Sequence, residues 1–250
     1  MPVTIKSNRE IEIMREAGKI LADVYEELIE QVKPGMSTYE IDQLGEKLIC
    51  KHGCVPECKG YEGYPAAFCV SVNDVVVHGI PRKDVIVQEG DIVSLDSVLS
   101  YKGYMADAAR TIAIGEISKE AQQLIDVTKQ CFFEGLKYAK AGNHLNDIST
   151  AIGQYAEKFG YGVVRDLVGH GIGKDMHEDP QIPNFPQKRR GIKLQPGMTL
   201  CIEPMINAGD WRVAFMDDEW TVVTDDGSLA AHYENTVLIT DGEPEILTLK

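Results

Sequence analysis

The sequence has no apolar run of membrane-spanning length. Its apolar runs, such as the Val-Val-Val at 75–77, fall far short of the ~18 residues a span needs. The opening MPVTIKSNRE has no apolar core of a signal peptide, so the expected location is the cytoplasm. Basic residues are scarce: 25 Lys plus Arg stand against 39 Asp plus Glu, a formal net charge of −14. That balance argues against a general nucleic-acid binder, which needs a basic footprint. It also argues against docking on anionic lipid. What is present is ordinary for a globular protein, with 44% hydrophobic and 26% charged residues over 250 positions. Such a chain buries roughly 70–75% of its unfolded surface, enough for one sizeable core. Residues 1–250 are expected to form a single domain.

Cysteine is also sparse, at positions 50, 54, 58, 69, 131 and 201. In a cytosolic chain these thiols are expected to be reduced. Cys50, His52, Cys54 and Cys58 are crowded enough to raise a zinc site. Structural zinc sites, however, usually pair two C-x₂₋₄-C elements across a longer loop. The favoured reading is a helix end followed by a loop that carries thiols.

Ser7-Asn-Arg-Glu10 is a capping box, followed by Ile11, Met14, Ala17, Leu21, Val24 and Leu28 at helical spacing. That helix should stop before Pro34-Gly35. Ser37-Thr-Tyr-Glu40 opens a second helix, ending near Gly53. Further helices are expected from Ser118 to about Lys140 and from about His144 to Phe159. Strands are expected at 69–77, 91–101, 162–168, 198–202, 211–215 and 233–239, where β-branched residues concentrate. Two similar batches of helix and strand predict an α+β fold. The batches match at an offset of 107: Gly35 falls on Gly142, Ile41 on Ile148, Lys51 on Lys158, Gly53 on Gly160, and Gln88-x-Gly90 on Gln195-x-Gly197. Asp96 falls on Glu203 at the same offset. The pattern predicts an internal duplication, half one at about 1–115 and half two at about 116–250. The phrase His78-Gly79-Ile80 resembles His170-Gly171-Ile172 at an offset of 92, so the halves must carry compensating insertions.

Asp96 lies in DIVSLDSVLSYKGYMADAARTI, where two β-rich runs flank Tyr101-Lys102-Gly103. A hairpin centred on Tyr101 and Lys102 would make Asp96 and Asp107 direct cross-strand partners. Two like charges that close need something positive between them, and a metal ion is the simplest candidate. Glu203 in LCIEPMI and Glu234 in AAHYENTVLIT each put one charge inside an apolar strand, where an unpaired carboxylate is expensive. His170 stands in a glycine-rich GHGIG turn.

These phrases, with GYPAAFCVSVNDVVVHGIP, GHGIGKDMHEDPQIPNF, GMTLCIEPMI and HYENTVLI, resemble the methionine aminopeptidases of type I, metallopeptidases with the pita-bread fold. The resemblance runs from about residue 4 to 248. It implies two related αβ halves around a central antiparallel sheet with a pseudo-twofold axis. It implies two divalent ions held by Asp96, Asp107, His170, Glu203 and Glu234. Positions matching Asp107 and Glu234 bridge the ions in that family, Asp96 binds the first, and His170 and Glu203 bind the second. Four carboxylates and one imidazole suit Mn²⁺, Fe²⁺, Co²⁺ or Zn²⁺.

The implied reaction is removal of N-terminal methionine from nascent proteins and peptides, preferring a small second residue, through a hydroxide bridging the metals. Glu203 would transfer the proton, His177 hydrogen-bond the developing oxyanion, and His78 meet the scissile amide nitrogen. His52, His144 and His232 have no such context and are read as structural. The implied methionine pocket is Cys58, Tyr61, Tyr64, Cys69, Met176 and Trp220. Aromatics and sulfur suit a polarisable thioether. The family often has an aromatic where this chain has Met176, and often a hydroxyl residue just after the aspartate matching Asp107, where this chain has Ala108. Prolidases on the same scaffold generally carry a further N-terminal domain, and here the first capping box begins at residue 7. The implied partners are nascent N-termini, with contact to the ribosome through a local patch left open, and the chain is expected to be a monomer. A net charge of −14 argues against broad electrostatic contact with a ribosome, and the basic cluster Lys188-Arg189-Arg190 reads as a solvated loop.

Overall fold

A computed structural model describes residues 3–250. Helix α1 (Asn8–Ile29) begins at the expected capping box, where Glu10 accepts from both the N–H and the hydroxyl of Ser7 at 2.7 Å. Its apolar stripe is buried, and it lies hard against the chain's end. A Cβ added at Gly18 would stand 2.3 Å from the Leu247 carbonyl oxygen, so only glycine fits there. Helix α2 is Thr38–Lys51, followed by β1 (Val55–Pro56). The expected strand at 69–77 is two strands, β2 (Cys69–Val72) and β3 (Val75–Val77), because Asn73 turns the chain with φ 55°. Asparagine tolerates that left-handed backbone better than most residues.

Strands β4 (Ile92–Tyr101) and β5 (Tyr104–Ala113) form a long hairpin, followed by α3 (Lys119–Leu136) and α4 (Leu145–Glu157). Then come β6 (Gly162–Val163), β7 (Gly169–Gly171), β8 (Glu178–Ile182), β9 (Thr199–Ile202) and β10 (Met205–Asn207). The chain ends with β11 (Val213–Phe215), β12 (Val222–Thr224), β13 (Ala230–His232), β14 (Glu234–Leu238) and β15 (Glu245–Ile246). The pair β7 and β8 is glycine- and proline-rich, which hid it from a β-propensity reading.

The main sheet is antiparallel in the order β1-β4-β5-β14-β9-β7-β8, with β2 on β4 and β15 on β14. Helices cover one face. Leu95, Leu99, Ala106 and Ala108 pack with α1 and α2 residues, and Leu200, Ile202 and Val237 pack with α3 and α4 residues. The period of two along each strand then sends Asp96, Asp107, Glu203 and Glu234 to the opposite face. The halves join in mid-sheet, where Ala108 and Ala109 of β5 pair with Asn235 and Glu234 of β14.

Several backbone contacts recur at the offset of 107 read from sequence. Gly35 donates to Val87 at 2.8 Å and Gly142 to Leu194 at 3.0 Å. Thr38 donates to Val85 and Leu145 to Ile192, both at 2.9 Å. Isolated bridges join Ser37 to Ile86 and His144 to Lys193. The paired glycines also share backbone angles, φ 92° and 94° at Gly35 and Gly142, 73° and 74° at Gly53 and Gly160.

Candidate metal centre and its cavity

The hairpin register differs from the expected one by two residues. The turn is Lys102-Gly103, both with positive φ (51° and 79°), and Tyr101 pairs with Tyr104. Such two-residue turns match the right-handed twist of the strands. Asp96 therefore faces Ala109, and Asp107 faces Val98. The two aspartates are diagonal neighbours on one face, not direct partners.

Following the registers across the sheet gives two adjacent rows. In the first, Asp96 pairs with Ala109 and Ala109 with Glu234. Glu203 follows Ile202 and Glu234 precedes Asn235, so the register pairing Ile202 with Asn235 sets the two glutamates across from each other. In the second row, the hydroxyl of Thr236 donates to the Asp107 carbonyl and accepts from its N–H, both at 3.0 Å. Thr236 pairs with Cys201, and Cys201 with His170. The small Ala109 lets Asp96 and Glu234 face one another over it. Both rows line a cavity of about 530 Å³ that also holds His78, His177 and His232.

The electrostatics of this face are those of a site built for positive charge. Burial pushes the Asp96 carboxyl up to about 7. Burial and then the neighbouring carboxylates raise Asp107, Glu203 and Glu234 well above their ordinary range. Asp107 Oδ1, Glu203 Oε1 and Glu234 Oε1 are buried without a hydrogen-bond partner. An uncompensated buried ion costs several kcal/mol, and three orphaned acceptors on one face are compensated most simply by cations.

His170 fits the same purpose. Its Nδ1 lies 2.9 Å from the Gly171 carbonyl oxygen, which can only accept. The proton of the neutral ring is therefore on Nδ1, leaving the Nε2 lone pair facing Glu203 Oε1 at 3.4 Å and Asp107 Oδ2 at 3.6 Å. A backbone carbonyl fixing the tautomer is the usual support of a metal-binding imidazole. Burial, and then His177, hold the His170 ring down at about 3, so it is unprotonated at neutral pH. Ligand-type atoms of Asp107, His170, Cys201 and Glu234 lie within 4.8 Å of one another, as do those of Glu203, His232 and Glu234. The donor set fits divalent cations.

The other two expected histidines stand on the cavity wall. His78 follows β3 in a left-handed conformation, φ 58°, and burial holds its ring at about 4. The His177 ring meets His170 edge to face at 4.5 Å. Its Nδ1 is 2.7 Å from the Tyr61 hydroxyl. With that hydroxyl donating, the ring proton sits on Nε2. Burial lowers this ring's pKa as well.

Cys58, Tyr64, Cys69 and Met176 form one buried apolar cluster, with Tyr61 and Trp220 packed against it. All six pocket residues read from the sequence therefore meet in one place. Tyr64 stacks edge-on against Trp220 at 5.1 Å, and the Val98 N–H donates to the Cys58 sulfur at 3.3 Å. Cys54, by contrast, packs in the half-one core and Cys50 is exposed, so the thiols that raised a zinc site point to different places.

Two residues of the site were missed. His232, read as structural, is on the cavity wall, and Cys201 lies under the carboxylates. The signal was present: each stands two residues before a glutamate in a strand-like segment, and so on the same face. His52 and His144 are elsewhere, His52 at 3.4 Å from Glu27 and His144 at the start of α4. Lys188, Arg189 and Arg190 are exposed. Among the described residues, no helix is long and apolar enough to cross a membrane.

Comparison with known proteins agrees with this geometry. The model of metallopeptidase family M24 matches residues 12–241. The chain is 55% identical over 247 residues to a methionine aminopeptidase of Clostridium acetobutylicum, covering 99% of each. It is 48% identical over 246 residues to methionine aminopeptidase 1 of Bacillus subtilis, covering 98% of this chain and 99% of that one. The crystal structure of a methionine aminopeptidase from Thermotoga maritima matches with a TM-score of 0.97 at 44% identity, over the whole of both chains. The fold is thus the α+β pita-bread fold of those enzymes, and the chain belongs to metallopeptidase family M24, among the methionine aminopeptidases.

Proposed function

We propose that residues 1–250 form one catalytic domain that removes N-terminal methionine from nascent proteins and peptides with a small second residue, using two divalent ions. Asp107 and Glu234 would bridge the ions, Asp96 would hold the first, and His170 and Glu203 the second. The observation that carries this reading is the pair of rows on one sheet face, with three orphaned carboxylate oxygens and a His170 tautomer presenting a free Nε2. Two ions in such a site supply Lewis acidity and make water nucleophilic at neutral pH.

The chain's own groups do the rest. Glu203 takes the proton from the attacking water. The Nε2–H of His177, oriented by Tyr61, donates to the substrate carbonyl oxygen as charge develops there. His78 donates to the scissile amide nitrogen. Its left-handed backbone turns it out of the sheet toward Trp220, 6.1 Å between ring centres, at the edge of the apolar pocket. Cys58, Tyr61, Tyr64, Cys69, Met176 and Trp220 would enclose the methionine side chain.

The test is metal content of the purified protein together with hydrolysis of a Met-Ala-Ser peptide. Two Co²⁺ or Mn²⁺ ions per chain, and methionine release that a chelator stops and added ion restores, are expected. Release that survives complete removal of metal would overturn the reading.

A further inference from the structure

The cavity holds one imidazole that the reading above does not use. His232 is 1% exposed, and neither of its ring nitrogens has a hydrogen-bond partner. Buried polar atoms of that kind are rare and call for an explanation. Its Nε2 lies 3.8 Å from Glu203 Oε2 and 4.0 Å from Glu234 Oε2. Those separations are too long for hydrogen bonds. They suit a shared ion: two donors each about 2.1 Å from one cation stand no more than about 4.2 Å apart. The two His232 separations meet this condition, and ligand atoms of Glu203, His232 and Glu234 all lie within 4.8 Å of one another. The local sequence places the ring there. Tyr233 packs into the half-two core, so His232 and Glu234, on either side of it, face the cavity together. His232 is also pinned by its pairing with Met205 across β10 and β13.

We propose that His232 is a nitrogen donor to the ion held by Glu203 and Glu234. The proposal rests on the two-ion reading above. That ion then has two imidazoles, from His170 and His232, while the other has carboxylates. Imidazole favours Co²⁺, Fe²⁺ or Zn²⁺ more than it favours Mn²⁺, so the two positions differ in metal preference.

The experiment is titration of the metal-free full-length protein with Co²⁺ and with Mn²⁺, reading ions bound at equilibrium and the visible absorption of bound cobalt. In His232→Gln, one ion should bind as in the wild type. The other should be weakened about 10–100-fold for Co²⁺, less for Mn²⁺, with a changed cobalt spectrum. X-ray absorption of the wild-type two-cobalt form keeps the proposal testable should the variant misfold: it should count two imidazoles per pair of ions. A count of one, or unchanged cobalt affinity and spectrum in a folded His232→Gln, overturns it. The two-ion reading fails differently. Wild-type protein would then hold no second ion, or Glu234→Gln would lose none, and the His232 proposal would fall with it.

Discussion

The halves share a frame and differ in what interrupts it. In half one, β4 runs ten residues to Tyr101, turns on Lys102-Gly103 and returns as β5, so one hairpin delivers both Asp96 and Asp107. In half two, the strand at the matched position, β9, stops at Ile202. The chain leaves the main sheet at Glu203-Pro204, builds β10 to β13, and only then returns as β14 with Glu234. The histidine phrases diverge in the same way. His170 lies within β7 and faces the carboxylates, whereas His78 stands past the end of β3 with φ 58°. The matched frame thus sets the two carboxylate rows, and the unequal excursions bring groups such as Trp220 to the cavity.

The sharpest way to break this comparison is to remove one shared carboxylate from each half. Asp107→Asn and Glu234→Gln should each abolish Met-Ala-Ser turnover and lower metal occupancy, since each would serve both ions. Two ions per chain with near-normal turnover in either variant would show that the halves do not share the centre.

The next effect separates the two His-Gly-Ile phrases. His78→Ala should lower kcat by about 10²–10⁴, the usual range for a lost proton-transfer partner, with KM and metal content little changed. His170→Ala should instead weaken one ion, with activity partly recovered at high metal concentration. Reversed results, an ion lost from His78→Ala and none from His170→Ala, would exchange the roles of the halves.

The placement of the carboxylates was legible because charge inside a β-branched strand is conspicuous, and because an offset of 107 tied Asp96 to Glu203. The register was less legible. A Lys at a left-handed turn position is not a strong signal, so the turn centre was set one residue early and the pairing slipped by two. His232 and Cys201 were missed for another reason: each has an apolar context that reads as core, and only the sheet's alternation shows that they share a face with a glutamate. The short strands β7 and β8 were invisible because Gly169, Gly171, Asp179 and Pro180 are poor strand formers.

A third prediction concerns the strap that ties the N-terminal segment to half two. Lys6 donates to Glu178 at 2.6 Å, both side chains nearly inaccessible, and Thr4 donates to the same carboxylate. Burial raises the Glu178 pKa, but the bonds from Lys6 and Thr4 outweigh it, and the net shift is downward from 4.5. A depressed acid stabilises the fold above its unfolded value and loses that contribution as pH falls through its folded one. Stability should therefore decline below about pH 4.5 in the wild type. Glu178→Gln should cost about 3–5 kcal/mol at neutral pH by leaving Lys6 buried and unpaired. Its melting temperature should also lose part of that acid dependence. A melting temperature unchanged at pH 7 would show that the strap adds nothing.

The smallest expected effect tests how unequally the halves build the pocket. Cys58, Tyr64, Cys69 and Val98 all come from half one, and Met176 is the buried half-two residue that closes the cluster. It sits beside His177 in sequence but touches the apolar wall, so its size and flexibility should bear on which side chain is accepted rather than on the chemistry. An unbranched thioether adapts to irregular space, whereas phenylalanine is rigid. Differences of one methylene in an apolar pocket are worth about 1–3 kcal/mol. Met176→Phe should therefore change the ratio of kcat/KM for Met-Ala-Ser over Leu-Ala-Ser by about tenfold. Metal content should be unchanged, and kcat for the methionine peptide should stay within a few-fold. A hundredfold fall in that kcat, or a lost ion, would move Met176 from the pocket wall into the support of His177 and the centre behind it.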